Sequence, residues 1–200
     1  MVNIIEGKEI EDCSIQLYTD GSKSEHGVGS GVAIFAGNEL ATQLNFKLDK
    51  KCSNNQAEQR AVVKVLEEIE TLDITENEPH TAAIFTDSRI TIDSLQNVSN
   101  QNSLIEEIRK KVSILETANW AVEFLWVKAH VGMYGNELAD QLSKEAARNR
   151  DATISYNKIP KGTLISEIEE GSIQKWQKEW NECMKAKIMK QFCPNVQNRL

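Results

Sequence analysis

The sequence of 200 residues lacks any long hydrophobic run and contains only 3 Pro, 3 His and 4 Cys. No stretch approaches the ~18 consecutive apolar residues that a membrane helix needs. The first residues also lack the basic and apolar regions of a signal peptide. We therefore expect no membrane association and a location inside the cell, in the nucleus or the cytoplasm.

The four cysteines, Cys13, Cys52, Cys183 and Cys193, lie far apart, with no Cys-x-x-Cys pair and no His at ligand spacing. A structural zinc site or a small disulfide framework needs closer and more regular spacing than this. We therefore expect four reduced thiols.

Charge is distributed unevenly along the chain. The formal net charge is -7 and the pI is about 5.1, which argues against a protein that grips nucleic acid through bulk electrostatics alone. Residues 151–200 carry eight basic and six acidic residues, a net +2, so the first 150 residues carry -9. Since the length also exceeds that of a typical domain of ~100–150 residues, we predict a main domain that ends near residue 150 and a separate extension over residues 151–200.

The pattern of apolar residues predicts an α/β fold. Predicted strands cover residues 14–19, 28–35, 40–48, 81–86 and 120–127, and predicted helices cover residues 56–71, 88–95, 103–117 and 137–148. An antiparallel hairpin followed by strands that alternate with helices indicates a mixed five-stranded sheet flanked by helices.

The extension begins with a predicted linker over residues 156–162. Beyond it, apolar residues recur every three or four positions, which predicts an amphipathic helix; they are Ile173, Trp176, Trp180, Met184 and Ile188. Docking of this stripe on the main domain or on another protein is the favoured interpretation. Nucleic-acid binding by its Lys-rich opposite face is the alternative.

Three carboxylates occupy unusual positions. Asp20 and Asp87 each follow a predicted strand, in Tyr18-Thr19-Asp20-Gly21-Ser22 and Phe85-Thr86-Asp87-Ser88. Either residue alone could be a turn or cap residue. Ligands of open α/β sheets, however, bind at the carboxyl ends of parallel strands. Glu58 falls on the apolar stripe of its helix, where an unpaired carboxylate is costly, although acidic residues also favour the first turn of a helix.

A fourth carboxylate, Asp140, lies next to the apolar face of the last predicted helix of the domain, after a loop that contains His130. Clustered carboxylates without cysteine are hard oxygen ligands, which suit Mg²⁺ or Mn²⁺. A pair of such ions can clamp both oxygens of a phosphoryl displacement. Glycoside hydrolysis would instead need a separated acid and base pair.

The ordered motifs closely resemble type I ribonuclease H, and most of all the ribonuclease H domains of non-LTR retroelement polyproteins. The matching motifs are Thr19-Asp20-Gly21-Ser22, Asn54-Asn55-Gln56-Ala57-Glu58, Thr86-Asp87-Ser88, and His130 ahead of Gly135-Asn136-Glu137-Leu138-Ala139-Asp140. The resemblance covers about residues 13–150 and implies the ribonuclease H-like fold, with a helical C-terminal extension.

The resemblance also implies a function. It predicts a metal-dependent endonuclease that hydrolyses the RNA strand of RNA/DNA hybrids to 5′-phosphate and 3′-hydroxyl ends. Two Mg²⁺ ions, with Mn²⁺ as a substitute, would be held by Asp20, Glu58, Asp87 and Asp140. His130 would help to move a proton or to release the product.

The nucleic-acid contacts that the resemblance implies lie after the first strand and at the start of the first helix. Gly21, Ser22 and Asn54 match positions on the RNA strand, while Ser53 and Asn55 match positions facing the DNA strand. Simple helix capping by Ser53 and Asn54 is an alternative role that does not exclude binding.

Two departures from the family pattern leave a second interpretation open. Arg89 follows Asp87-Ser88 where many members carry an amide, and no basic insertion lies between residues 95 and 120. The alternative function is a non-cutting module of a retroelement-derived protein, which binds hybrids or docks on a reverse transcriptase or other protein through the C-terminal helix.

Overall fold

A mixed sheet forms the centre of the part of the chain before residue 159. The computed structural model describes residues 3–5, 13–72, 80–129 and 131–196. Within them the sheet has seven strands: β1 Asn3–Ile5, β2 Ile15–Ser24, β3 Gly27–Ala36, β4 Glu39–Leu48, β5 His80–Thr86, β6 Trp120–Trp126 and β7 Ile154–Tyr156. Their spatial order is β1-β6-β5-β2-β3-β4-β7. The pairs β2–β3 and β3–β4 are antiparallel, and the other four pairs are parallel.

The predicted mixed sheet is confirmed, and two short edge strands extend it from the five predicted strands to seven. β1 and β7 have three residues each, too few to show an alternating pattern in the sequence. β7 pairs with β4 through Lys47 opposite Ile154 and Leu48 opposite Tyr156.

Within the described ranges of the first unit, four helices accompany the sheet: α1 Asn54–Thr71, α2 Arg89–Gln96, α3 Ser103–Thr117 and α4 Tyr134–Arg148. Successive side chains along β2 point to opposite faces of the sheet. Leu17 packs with residues of α1 and α3 on one face, while Tyr18 packs with Ala139 of α4 on the other. β3 is therefore buried on both faces, from Gly27 to Phe35.

α4 lies directly on β3 because β3 carries glycine at the points of closest approach. A Cβ atom on Gly31 would stand 2.1 Å from the carbonyl oxygen of Ala139, and one on Gly29 would stand 2.3 Å from that of Ser143. These contacts leave no room for a side chain between strand and helix. They fix the position of α4, and with it that of Asp140.

The extension forms a second compact unit, which begins at Ile159. It contains α5 Lys161–Glu182, a 3₁₀ turn Met184–Ala186 and α6 Lys187–Phe192. The prediction of one continuous amphipathic helix is wrong, because α5 ends at Glu182 and Ile188 lies in α6. Trp180 Nε1 donates to the carbonyl oxygen of Cys193 at 3.0 Å, so the segment after α5 folds back along it.

The linker predicted over residues 156–162 also differs from the structure. Tyr156 belongs to β7 and Lys161 begins α5, which leaves residues 157–160 between the two elements. Residues 151–158 pack with the first unit, since the division of the chain falls after Lys158. None of the helices in the described ranges is long and apolar enough to span a membrane.

We predict that Gly31→Ala destabilises the first unit, because the new methyl group would collide with backbone atoms of α4. Overpacking of this kind costs roughly 1–3 kcal/mol, measurable by urea unfolding. Gly171→Ala in α5 is the matched control, since nothing lies within 4 Å of its Cβ position and alanine favours helix. An unchanged midpoint for Gly31→Ala would contradict the close approach of α4 to β3.

Candidate active site

Asp20 and Asp87 lie side by side where the parallel pairing between β2 and β5 ends, on the side of the sheet where both strands have their carboxyl ends. β2 and β5 pair in register up to Thr19 opposite Thr86, so the two aspartates follow the last pair directly. The prediction that the first strand ends at Asp20 is wrong, because β2 continues to Ser24. It does so by pairing with β3, in which Gly31 stands opposite Asp20.

Glu58 approaches the same edge from the first turns of α1. A Cβ atom on Gly21 would lie 2.3 Å from the backbone nitrogen of Glu58, so only glycine permits this contact between β2 and the helix. The Glu58 carboxylate accepts a hydrogen bond from Asn54 Nδ2 at 2.7 Å and a short one from Ser88 Oγ. Glu58 is half-buried and faces the N-terminus of α2 rather than the apolar core.

Asp140 reaches the site from α4, where its carboxylate forms an ion pair with Lys144 of the same helix. Lys144 Nζ lies 2.6 Å from Asp140 Oδ2, one helical turn further along. Ser143 Oγ, in the same turn, donates to Asp20 Oδ2 at 2.5 Å and thus joins the helix to β2. The four predicted carboxylates are therefore brought to one region by four different elements: β2, α1, the end of β5 and α4.

The environment of these carboxylates favours their protonated forms. Asp20 is only 7% exposed, and burial raises its pKa to about 7. Repulsion from Asp87, Asp140 and Glu58 contributes in the same direction, against the Ser143 hydrogen bond. The pKa of Glu58 is also raised, mainly by burial and further by Asp87.

The donor set suits a hard divalent cation. In the described ranges, no three acidic, His or Cys side chains are arranged as a ready-made metal centre. Three of the four carboxylates instead accept hydrogen bonds or an ion pair from Ser143, Ser88 and Lys144. A buried carboxylate that is repelled by three others gains from a bound cation, so the residues fit Mg²⁺ or Mn²⁺ by chemistry and charge.

The predicted nucleic-acid contacts lie beside the carboxylates. Gly21 and Ser22 continue β2 beyond Asp20, and Asn54 and Asn55 form the first turn of α1. Ser53 is the N-cap of α1 and shares a capping box with Gln56, which confirms the capping role predicted for it. Asn54 does not cap the helix, because its side chain donates to Glu58 instead.

His130 lies outside the described residues. Its predicted role in proton transfer or product release therefore stays a prediction. The described positions on either side of it belong to the segment between β6 and α4.

Sequence reasoning did not identify several residues that hold the carboxylates. Ser143 sits on the apolar face of α4 and is fully buried, and a polar residue in that stripe is the one signal that marks it. Ser88 caps α2 while also binding Glu58. Trp126 Nε1 donates to the carbonyl oxygen of Asp87 at 3.1 Å, a contact that no sequence pattern reveals.

Comparison with known sequences shows which proteins this chain is similar to. The family model for RNase H matches residues 12–148. Ribonuclease H1 from Homo sapiens is 25% identical over 151 residues, which cover 68% of this chain and 51% of the human protein. Ribonuclease H from Francisella philomiragia is 32% identical over 150 residues, which cover 66% of this chain and 90% of that protein. The chain thus spans about half the length of the human relative.

Solved structures of ribonucleases H share the fold. RNase H1 from Halobacterium salinarum has a TM-score of 0.51 at 20% identity, covering 66% of this chain and 96% of that chain. LC11-RNase H1, crystallised in complex with an RNA/DNA hybrid, has a TM-score of 0.52 at 18% identity, covering 66% and 98%.

We predict that Asp20→Asn stabilises the metal-free protein in a pH-dependent way. The ordinary pKa of Asp is 3.8, whereas burial in the fold raises the pKa of Asp20 to about 7. Between these values the folded protein binds more protons, so its stability falls as pH rises through this window. Asn does not titrate, so the free-energy advantage of Asp20→Asn in EDTA should grow by on the order of 2–4 kcal/mol between about pH 4 and pH 8.

Urea unfolding across this pH range measures the effect. Asp151→Asn removes an exposed carboxylate outside the site and is the control. A constant difference between Asp20→Asn and wild type over the whole range would show that the fold does not raise the pKa of Asp20.

Proposed function

Because this chain belongs to the RNase H family, we propose that it is a metal-dependent endonuclease that hydrolyses the RNA strand of RNA/DNA hybrids. One observation supports this most: Asp20 is buried among three other carboxylates, and its pKa is raised to about 7. Perturbed carboxylates of this kind are typical of catalytic centres.

Asp20, Glu58, Asp87 and Asp140 would hold two Mg²⁺ ions, with Mn²⁺ as a substitute. Such a pair, when bound, supplies activation of the attacking water and charge stabilisation for the departing 3′ oxygen. The chain itself orients the carboxylates, through Ser143 on Asp20 and Ser88 on Glu58. His130 assists a proton transfer, and the products carry 5′-phosphate and 3′-hydroxyl ends.

The substrate proposal draws on the residues around the carboxylates. Gly21, Ser22 and Asn54 would contact the RNA strand, and Ser53 and Asn55 the DNA strand. The 2′-hydroxyl groups in the minor groove distinguish RNA from DNA. The structure of LC11-RNase H1 with an RNA/DNA hybrid supports this choice of substrate.

We further propose an origin in a non-LTR retroelement polyprotein and an intracellular location, nuclear or cytoplasmic. Two sequence motifs support the retroelement origin: Tyr18-Thr19-Asp20-Gly21-Ser22-Lys23 and Gly135-Asn136-Glu137-Leu138-Ala139-Asp140. A helical unit after the domain, with Trp176 and Trp180 on its first helix, agrees with it.

A second function, docking on a reverse transcriptase or another protein, is favoured by the surface of the unit from Ile159 onward. No side chain of α5 is buried in the part of the chain that the structure describes. Trp176 is 41% exposed, Met184 92% and Phe192 78%, and exposed apolar groups of this size are typical of interaction surfaces.

We expect Asp87→Asn to abolish Mg²⁺-dependent cleavage of a labelled RNA/DNA hybrid, because it removes a carboxylate from the cluster. A loss of at least 10²-fold is the expected size for an electrostatic contribution to the transition state. Asp93→Asn, an exposed aspartate one turn into α2, is the control and should cleave at the wild-type rate. Near wild-type cleavage by Asp87→Asn with an unchanged melting curve would refute the metal assignment.

For His130→Ala we expect slower turnover without complete loss, because proton transfer contributes only about 10²–10⁴ to the rate. Single-turnover cleavage rates across a pH series measure the effect. A loss as complete as that of Asp87→Asn would make His130 essential, and an unchanged rate would exclude it from the chemistry.

A further inference from the structure

A groove lies beside the carboxylates, between the far end of β2 and α4. It has a volume of roughly 340 Å³ and is lined by Ser22, Lys23, Ser24, Glu25, His26, Lys144 and Arg148. Of these residues, Ser22 and Lys144 have been assigned a role above. The groove therefore extends the site in a direction that the proposed chemistry does not use.

Its two walls are continuations of the elements that carry Asp20 and Asp140. Asp20, Ser22 and Ser24 stand opposite Gly31, Gly29 and Gly27 of β3. Those glycines contact the α4 backbone at Ala139, Ser143 and Ala147 in turn. Two residues of a strand advance ~6.6 Å and four residues of a helix advance ~6 Å. Because these distances are nearly equal, β2 and α4 stay aligned as they extend away from the carboxylates.

The charge of the groove is mainly positive. Lys144 and Arg148 follow Asp140 at intervals of one helical turn and line the groove from α4. On β2, Lys23 alternates with Ser22 and Ser24, so its side chain lies on the sheet face opposite α4. Lys144 is paired with Asp140, and Lys23 Nζ donates to the carbonyl oxygen of Cys52 at 2.6 Å. Glu25 is also present, 86% exposed and 3.6 Å from His26.

Arg148 is the cation best placed to bind a ligand here. It is exposed, and it makes no hydrogen bond or ion pair with a protein side chain among the residues that the structure describes. It stands about 12 Å beyond Asp140 along α4, which corresponds to about four nucleotides of a strand that rises ~3.4 Å per nucleotide. Arginine also matches the geometry of phosphate oxygens.

We propose that this groove binds a backbone phosphate of the strand that is cut, within about four nucleotides of the scissile position, with Arg148 as its main ligand and Ser22 on the opposite wall. This inference rests on the proposed function, since the carboxylates define which phosphodiester is scissile. Arg148 would place a positive charge beside the acidic site.

The test compares wild type with Arg148→Ala, Arg148→Lys and Arg150→Ala over a salt series. Arg150→Ala removes the same charge two residues away, outside the groove lining. Binding of a labelled RNA/DNA hybrid is measured by fluorescence anisotropy in EDTA, and cleavage kinetics are measured in Mg²⁺. Melting curves verify that each variant folds.

We expect Arg148→Ala to reduce the slope of log affinity against log salt by about one unit, the value for one lost phosphate contact. Its KM should rise while kcat stays within about two-fold of wild type. Arg148→Lys should restore most of the slope, and Arg150→Ala should leave it unchanged.

Two outcomes would overturn the proposal: an unchanged slope and KM for Arg148→Ala, or an equal effect of Arg150→Ala. The anisotropy series keeps this test separate from the proposed function. A wild-type protein that binds the hybrid but never cuts it would refute the endonuclease proposal, while the slopes would still decide whether the groove holds a phosphate.

Discussion

Asp20 is buried within electrostatic range of three other carboxylates, Asp87, Asp140 and Glu58, where the parallel strands of the sheet end. The rest of the first unit must offset the burial of this charge and the repulsion from its neighbours. A protein that only needed to fold would gain stability by losing one of these charges. The packing of the domain is best understood as a means of holding them in place.

Two glycine contacts achieve most of this positioning. Gly21 lets the first turns of α1 bring Glu58 against β2, and Gly31 lets α4 lie on β3 with Asp140 beside the site. Hydrogen bonds then stabilise the charges: Ser143 donates to Asp20, Ser88 donates to Glu58, and Lys144 supplies a positive charge to Asp140. A divalent cation would replace part of this stabilisation, which links metal binding to the stability of the domain. The same two elements, β2 and α4, continue past the carboxylates as the walls of the basic groove.

Much of this architecture could be predicted from the sequence, because its helices and central strands carry strong periodic patterns. The bounds of α3 match the prediction, and α1 begins at Asn54, two residues before the predicted start, behind the Ser53 cap. Contacts that depend on packing between distant segments could not be predicted. β2 continues through Asp20 because β3 pairs with it as far as Ser24. Gly21 and Ser22 are typical turn residues, so the local sequence favours an end to the strand at that point. The apolar residues of the extension keep a helical spacing across Cys183, so their spacing did not predict that the helix breaks there and divides them between α5 and α6.

In the proposed function, these carboxylates serve strand-selective cleavage of RNA/DNA hybrids. The most direct measurement incubates the purified chain with a hybrid labelled on either strand, beside RNA and DNA duplexes of the same sequence, in Mg²⁺ and in EDTA. Cleavage of only the RNA strand of the hybrid, only in Mg²⁺, and with 3′-hydroxyl ends on the upstream products is the predicted result. Cleavage of the DNA strand, equal cleavage of the RNA duplex, or cleavage that persists in EDTA would contradict the account.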